Sequence, residues 1–291
     1  MGEPLVETQA ASDGYPIQVT VWPAAGSPRC RVVVLHGVQS HAGWYHRLGR
    51  TLAGAGFEAH FPDRRGSGSN HADRGHTPSA RRLLVDIAER LQSLRDRGDG
   101  APIALAGISW GGKLAVLTAA RRPDLVDALA LICPGLHPRV GVTWRERLLI
   151  ARCWLTDRRR RFPIPLSDPA LFTASPEAQA FIATDPLGLR SATASLLAAS
   201  TIIDLMVRRA PRKVRQPALL MLAGRDRIVD NARTRAYFET LASREPRVVE
   251  YPEAHHTLEF EPDPTRYAFD LIRWLESHAA ANVAGAARVV S

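Results

Sequence analysis

A serine stands among glycines at Gly107-Ile108-Ser109-Trp110-Gly111, directly after the apolar run from Ala101 to Ala106. A G-x-S-x-G stretch between a strand and a helix implies a sharp turn that lifts the hydroxyl clear of the sheet. The serine must then take a strained backbone conformation, and side chains two positions before and after it would collide with the strand and the helix. Serine is a weak nucleophile at neutral pH, so acyl chemistry at Ser109 requires a histidine base and a carboxylate that orients it.

On such a sheet the order along the chain is serine, acid, histidine. Asp226 follows the apolar run that begins at Ala218 and is the expected acid, with Asp230 four residues on in reserve. The histidine is expected in the loop after the last strand, where His255 and His256 are adjacent. Both cannot face one serine with the same geometry, so one is a bystander or a packing residue. The helix after Ser109 directs its positive end, with the Trp110 amide, at the place where an oxyanion would form. His36-Gly37 ends another apolar run, and the next amide, that of Val38, is the expected second donor. His36 is expected to hold that loop by hydrogen bonds at the edge of the substrate pocket. This chemistry calls for no cofactor and no metal, and neither the segment from His71 to His76 nor the paired histidines has metal-ligand spacing.

The elements that position these residues alternate. The stretches Arg29 to Gly37, Ala101 to Ser109, Val126 to Gly135 and Pro217 to Asp230 each carry a short apolar run, as strands buried on both faces should. Helical patterns fall between them, one with its apolar stripe at Leu84, Ile87, Leu91 and Leu94. Strand and helix in turn predict a mostly parallel sheet covered on both faces. Residues 136–213 break the series with helical patterns and prolines but no convincing strand. The segment is too long for an ordinary loop. The expected organisation is therefore a core of residues 1–135 and 214–291, with residues 136–213 as a helical cap over the carboxyl ends of the strands, where open parallel sheets bind ligands. Glu146 to Leu155, if helical, offers Leu149, Cys153 and Trp154 either to line an acyl pocket or to pack the cap against the core.

With 291 residues, 45% of them hydrophobic, the chain can bury a full core. No apolar run approaches a membrane span, and the N-terminus lacks the apolar stretch of an export signal, so a soluble cytoplasmic protein is expected. Cys30, Cys133 and Cys153 are odd in number and irregular in spacing, which predicts small core thiols rather than disulfides or zinc ligands. The formal net charge of +9 is almost wholly arginine, with lysine only at positions 113 and 213. Those arginines are scattered and accompanied by acids, with no nucleic-acid motif, so no nucleic-acid partner is expected. The run Arg158 to Arg161 reads as a solvated face or, as the minority reading, as a surface for an anionic membrane or an acidic partner.

Taken together, the stretches around His36, Asp63 to Asn70, Ser109, Asp226 and His256 resemble the α/β-hydrolase fold, and within it the monoacylglycerol lipase and lysophospholipase-like branch. The resemblance covers nearly the whole chain, including Asp185-Pro186-Leu187 in the expected cap. It implies a mostly parallel eight-stranded sheet flanked by helices, Ser109 as nucleophile, Asp226 as acid, His256 as base, and Val38 and Trp110 as oxyanion donors. It also implies a small acyl ester as substrate. Thioesterases, lactonases, peptidases and acyltransferases share such a triad. A non-catalytic binding module is the alternative of a different class. The sequence departs from the branch at Asp63-Arg64-Arg65-Gly66-Ser67-Gly68, where arginines replace the histidine-containing version of the loop, and in an arginine-rich cap without a continuous apolar lid.

Overall fold

A computed structural model describes residues 3–287, with side chains described through His278. Residues 1–2 and 288–291, the latter closing a C-terminal stretch of small residues that begins at Ala279, lie outside the described residues. The strands are β1 (Leu5–Ala10), β2 (Pro16–Trp22), β3 (Arg31–Leu35), β4 (Glu58–Pro62), β5 (Ile103–Ile108), β6 (Ala128–Ile132), β7 (Arg161–Pro163), β8 (Ser191–Thr193), β9 (Ala218–Ala223) and β10 (Pro246–Tyr251). The helices are α1 (His46–Gly54), α2 (Ala80–Arg95), α3 (Trp110–Arg121), α4 (Trp144–Thr156), α5 (Pro176–Thr184), α6 (Ala194–Val207), α7 (Asn231–Glu239) and α8 (Thr265–Ala287).

Eight strands form one sheet in the order β1-β2-β4-β3-β5-β6-β9-β10. β1 and β2 pair antiparallel at one edge, β2 also pairs antiparallel with β4, and the remaining neighbours are parallel. Alternate residues of the central strands feed two cores. Val32, Val34, Ala104, Ala106 and Met221 meet α1 and α8, and Val33, Leu35, Leu105, Leu129 and Leu220 meet α2, α3 and α7. Burial on both faces explains why β3, β5, β6 and β9 read as unbroken apolar runs. On α2 the stripe Leu84, Ile87, Leu91 and Leu94 is buried as its spacing requires, and Ser79 caps the helix by accepting from the Arg82 amide. This is the α/β-hydrolase fold. Among the described residues no helix is long and apolar enough to cross a membrane. The three cysteines are buried and unpaired.

Between β6 and β9 the chain forms α4, α5 and α6, and also the antiparallel ribbon β7–β8. That ribbon corrects the expectation of a strandless segment: three residues a side, with a proline and an arginine in β7, are too short to show periodicity. The segment is fastened to the loops at the carboxyl ends of the strands. α6 lies on α3, where Lys113 Nζ meets Asp204 Oδ1 at 2.5 Å and Trp110 Nε1 donates to Ser200 Oγ at 2.9 Å. Asp185 Oδ2 accepts from Trp44 Nε1 at 2.8 Å and pairs with His41 Nε2 at 3.0 Å. Arg158 donates to the Pro78 carbonyl, Arg159 pairs with Asp73, and Arg161 donates to the Arg74 carbonyl. The arginine run is therefore more than a solvated face: these three side chains grip the loop before α2.

Candidate active site

Ser109 sits at the junction of β5 and α3 with φ 51° and ψ −122°. A non-glycine residue at positive φ is strained, and the tertiary setting holds it there: the Ser109 amide donates to Ile132 O, and its carbonyl accepts from Gly112 N and Gly135 N. The glycines answer to close approach. A Cβ on Gly107 would stand 2.6 Å from Gly112 Cα, and one on Gly111 would stand 2.3 Å from Leu35 O.

Around this elbow the expected residues converge. Ser109 Oγ lies 2.8 Å from His256 Nε2, and His256 Nδ1 lies 2.7 Å from Asp226 Oδ2. Asp226 Oδ1 accepts from the amides of Ile228 and Val229, both at 2.8 Å, so the turn after β9 fixes the carboxylate. Asp226 and His256 are buried and Ser109 is half-buried. The reserve acid, Asp230, instead caps α7 by accepting from the Arg233 amide. His255 turns the other way, and both its amide and its Nδ1 lie on Glu261 Oε1. Adjacent histidines thus take opposite sides of the loop after β10.

The loop after β3 runs beside the serine. A Cβ built on Gly37 would lie 3.7 Å from Ser109 Oγ, so the Gly37–Val38 peptide flanks the hydroxyl. Neither the Val38 amide nor the Trp110 amide donates to another group among the described residues. Two free backbone donors beside a serine hydroxyl are what stabilisation of a tetrahedral oxyanion requires. Gly37 N donates to Ser40 Oγ, which also bonds Tyr45 Oη.

The crevice at Ser109 is lined by Val38, Gln39, Trp44, Leu166, Phe172 and Thr257 among others. The sequence expectation about its walls is corrected here. Cys153 is buried against Ile150, Phe162 and Ala194 inside the inserted segment, whereas Leu149 and Trp154 are exposed at its surface. None of the three lines the crevice; Leu149 and Cys153 lie one turn apart on the same side of α4, and Trp154 is turned about 100° from Cys153. His36 is likewise behind the crevice: its Nε2 accepts from the Arg64 amide at 2.9 Å, which requires the proton on Nδ1, and Nδ1 donates to Gly37 O at 2.8 Å. Burial holds its pKa well below the ordinary histidine value, in keeping with a neutral tautomer that braces the loop. Leu166 and Phe172 carried no sequence signal, because they come from irregular chain between short elements.

The family model of the serine aminopeptidases, S33, matches residues 26–263. Human monoglyceride lipase is 27% identical over 274 residues, covering 92% of this chain and 89% of its own. Monoacylglycerol lipase of Mycolicibacterium smegmatis is 24% identical over 270 residues, covering 92% and 96%. Among solved structures, a soluble variant of monoglyceride lipase from Saccharomyces cerevisiae, in complex with a substrate analog, superposes with a TM-score of 0.83 at 18% identity over 96% of both chains. Paleococcus ferrophilus monoacylglycerol lipase gives 0.78 at 24% identity, over 90% of this chain and 99% of its own.

Proposed function

The chain belongs to the serine aminopeptidase S33 family of α/β-hydrolase-fold enzymes, and on that premise we propose that it cleaves carboxylic esters through Ser109, His256 and Asp226. The observation that carries this reading is the continuous hydrogen-bond line from Ser109 Oγ through the His256 ring to Asp226 Oδ2, at 2.8 and 2.7 Å. His256 Nε2 takes the Ser109 proton as Oγ bonds to the acyl carbon, and the carbonyl electron pair becomes an oxyanion held by the Val38 and Trp110 amides. Asp226 stabilises the imidazolium. Collapse expels the alcohol, which takes the proton from His256, and leaves Ser109 acylated. Water then attacks with His256 as base and releases the acid.

A neutral acyl ester fits the crevice better than an aminoacyl amide. Among its lining residues none carries a carboxylate, so a substrate ammonium group would be desolvated without a partner. The monoglyceride lipases among the relatives support a monoacylglycerol or a similar small ester as substrate. Residues 136–213 act in this reading as a cap that supplies Leu166 and Phe172 to the acyl pocket. Contact with an anionic membrane would run through α4, where Trp144, Leu148 and Leu155 share one exposed face and Arg145, Arg147 and Arg152 flank it. Hydrolysis of a monoacylglycerol, the matching acyl thioester and the matching aminoacyl amide tests the substrate class. Highest kcat/KM on the ester is expected, and preference for the amide would reverse the assignment.

A further inference from the structure

Arg64 has no place in the reaction as described, and its surroundings are unusual. It is buried, no carboxylate lies within ion-pair distance among the described residues, and burial pushes its pKa down to about 10. An unpaired cation in such a place is costly unless dipoles or a π face compensate for lost water. Here Nη1 donates to Gly37 O at 3.1 Å, Nη2 donates to Val38 O at 2.9 Å, and the guanidinium lies 4.8 Å from the centre of the Trp110 ring. Arg64 thus touches both residues whose amides are the proposed oxyanion donors, through groups other than those amides.

Geometry turns this contact into a function. Gly37 C=O and Val38 N–H belong to one planar trans peptide and point in opposite directions. Fixing the carbonyl toward Arg64 therefore fixes the amide on the opposite side of that peptide, whose Gly37 end lies beside Ser109. The same carbonyl accepts from His36 Nδ1, so two donors polarise one peptide and strengthen its N–H as a donor in turn. Resting on the reading of Ser109 above, we infer that Arg64 is a positioning residue for the oxyanion site, clamping the Gly37–Val38 peptide so that the Val38 amide is aimed before substrate arrives. The loop in which arginine departs from the lipase-like pattern is then the one that orients the oxyanion donor.

The test uses the full chain and a neutral short-chain ester. Arg64→Met keeps an apolar stem and removes the fork, while Arg64→Lys keeps the charge with a single donor head. Arg64→Met is expected to lower kcat about ten- to hundredfold, less than outright loss of a donor, with KM within about twofold of wild type. A trifluoromethyl ketone, which adds Ser109 Oγ and forms a hemiketal oxyanion, should lose affinity by the same factor. Arg64→Lys should restore part of kcat, and it decides the matter alone if Arg64→Met does not fold. A folded variant with unchanged kcat, or with the loss in KM instead, overturns the positioning role and leaves Ser109 as nucleophile. A wild-type chain that neither hydrolyses esters nor reacts with a fluorophosphonate fails at Ser109 itself and takes this inference with it.

Discussion

Phe172 packs edge-on against the ring of His256, with centroids 6.1 Å apart at 69°, and its carbonyl accepts from the Thr257 amide. A residue of the inserted segment thus packs on the ring of the proposed base, whose hydrogen-bond partners come from the core. Truncation at Phe172 would free that ring and widen the crevice. Phe172→Ala is expected to lower kcat/KM about tenfold, since small misplacements of a reacting group are costly. Phe172→Leu should lose less. Steady-state kinetics on one ester checks both, and an unchanged Phe172→Ala variant would mean that the core alone orients His256.

The two acids of the 226–230 segment should separate cleanly. Asp226→Asn leaves the turn after β9 in shape but offers His256 the wrong hydrogen-bond pattern, so kcat should fall by about 10³ to 10⁴. Asp230→Ala should cost about 1 kcal/mol of stability through the lost cap on α7 and leave kcat alone. Denaturant unfolding beside kinetics distinguishes them.

The adjacent histidines should differ as sharply. His256→Ala should abolish turnover on esters, whereas His255→Ala, which loses only its contact with Glu261, should keep kcat within about twofold of wild type. Equal loss in both variants would put the base assignment in question.

Much of this was legible in the sequence, for a definite reason. Burial on both faces writes β3, β5, β6 and β9 as apolar runs, and the elbow writes itself as Gly107 and Gly111 because a Cβ at either would strike backbone. β1 was not legible: it is an exposed edge strand in which Leu5 and Val6 face solvent and Glu7, Thr8 and Gln9 are polar, so no buried apolar alternation marks it. The walls of the crevice were not legible either. Phe172 and Leu166 reach Ser109 through the docking of the inserted segment, a relation between distant stretches that local pattern does not record. Arg64 could be read from sequence only as a departure, since its partners, the carbonyls of Gly37 and Val38, are backbone atoms that any residue would supply.

Glu259 gives stability a pH dependence. Its carboxylate accepts from the Arg47 and Leu48 amides at the start of α1 and from the Tyr267 hydroxyl, yet burial pushes its pKa up to about 7. The native state thus holds this proton more tightly than the unfolded chain. The resulting contribution is full below pH about 4.5 and is lost as pH rises through about 7, amounting to no more than about 3 kcal/mol. Urea unfolding of wild type and Glu259→Gln from pH 5 to pH 8 should show a decline in the wild type that the variant lacks, after titrations common to both cancel. Parallel curves would contradict it.

The most direct measurement is the intact mass of the chain after brief exposure to a fluorophosphonate, followed by peptide mapping, in wild type, Ser109→Ala and His256→Ala. A single adduct on Ser109, absent from Ser109→Ala and slow to form in His256→Ala, is the expected result. A folded wild-type chain that takes no label, or that takes it at another residue, would contradict Ser109 as the nucleophile and leave the fold without the proposed chemistry.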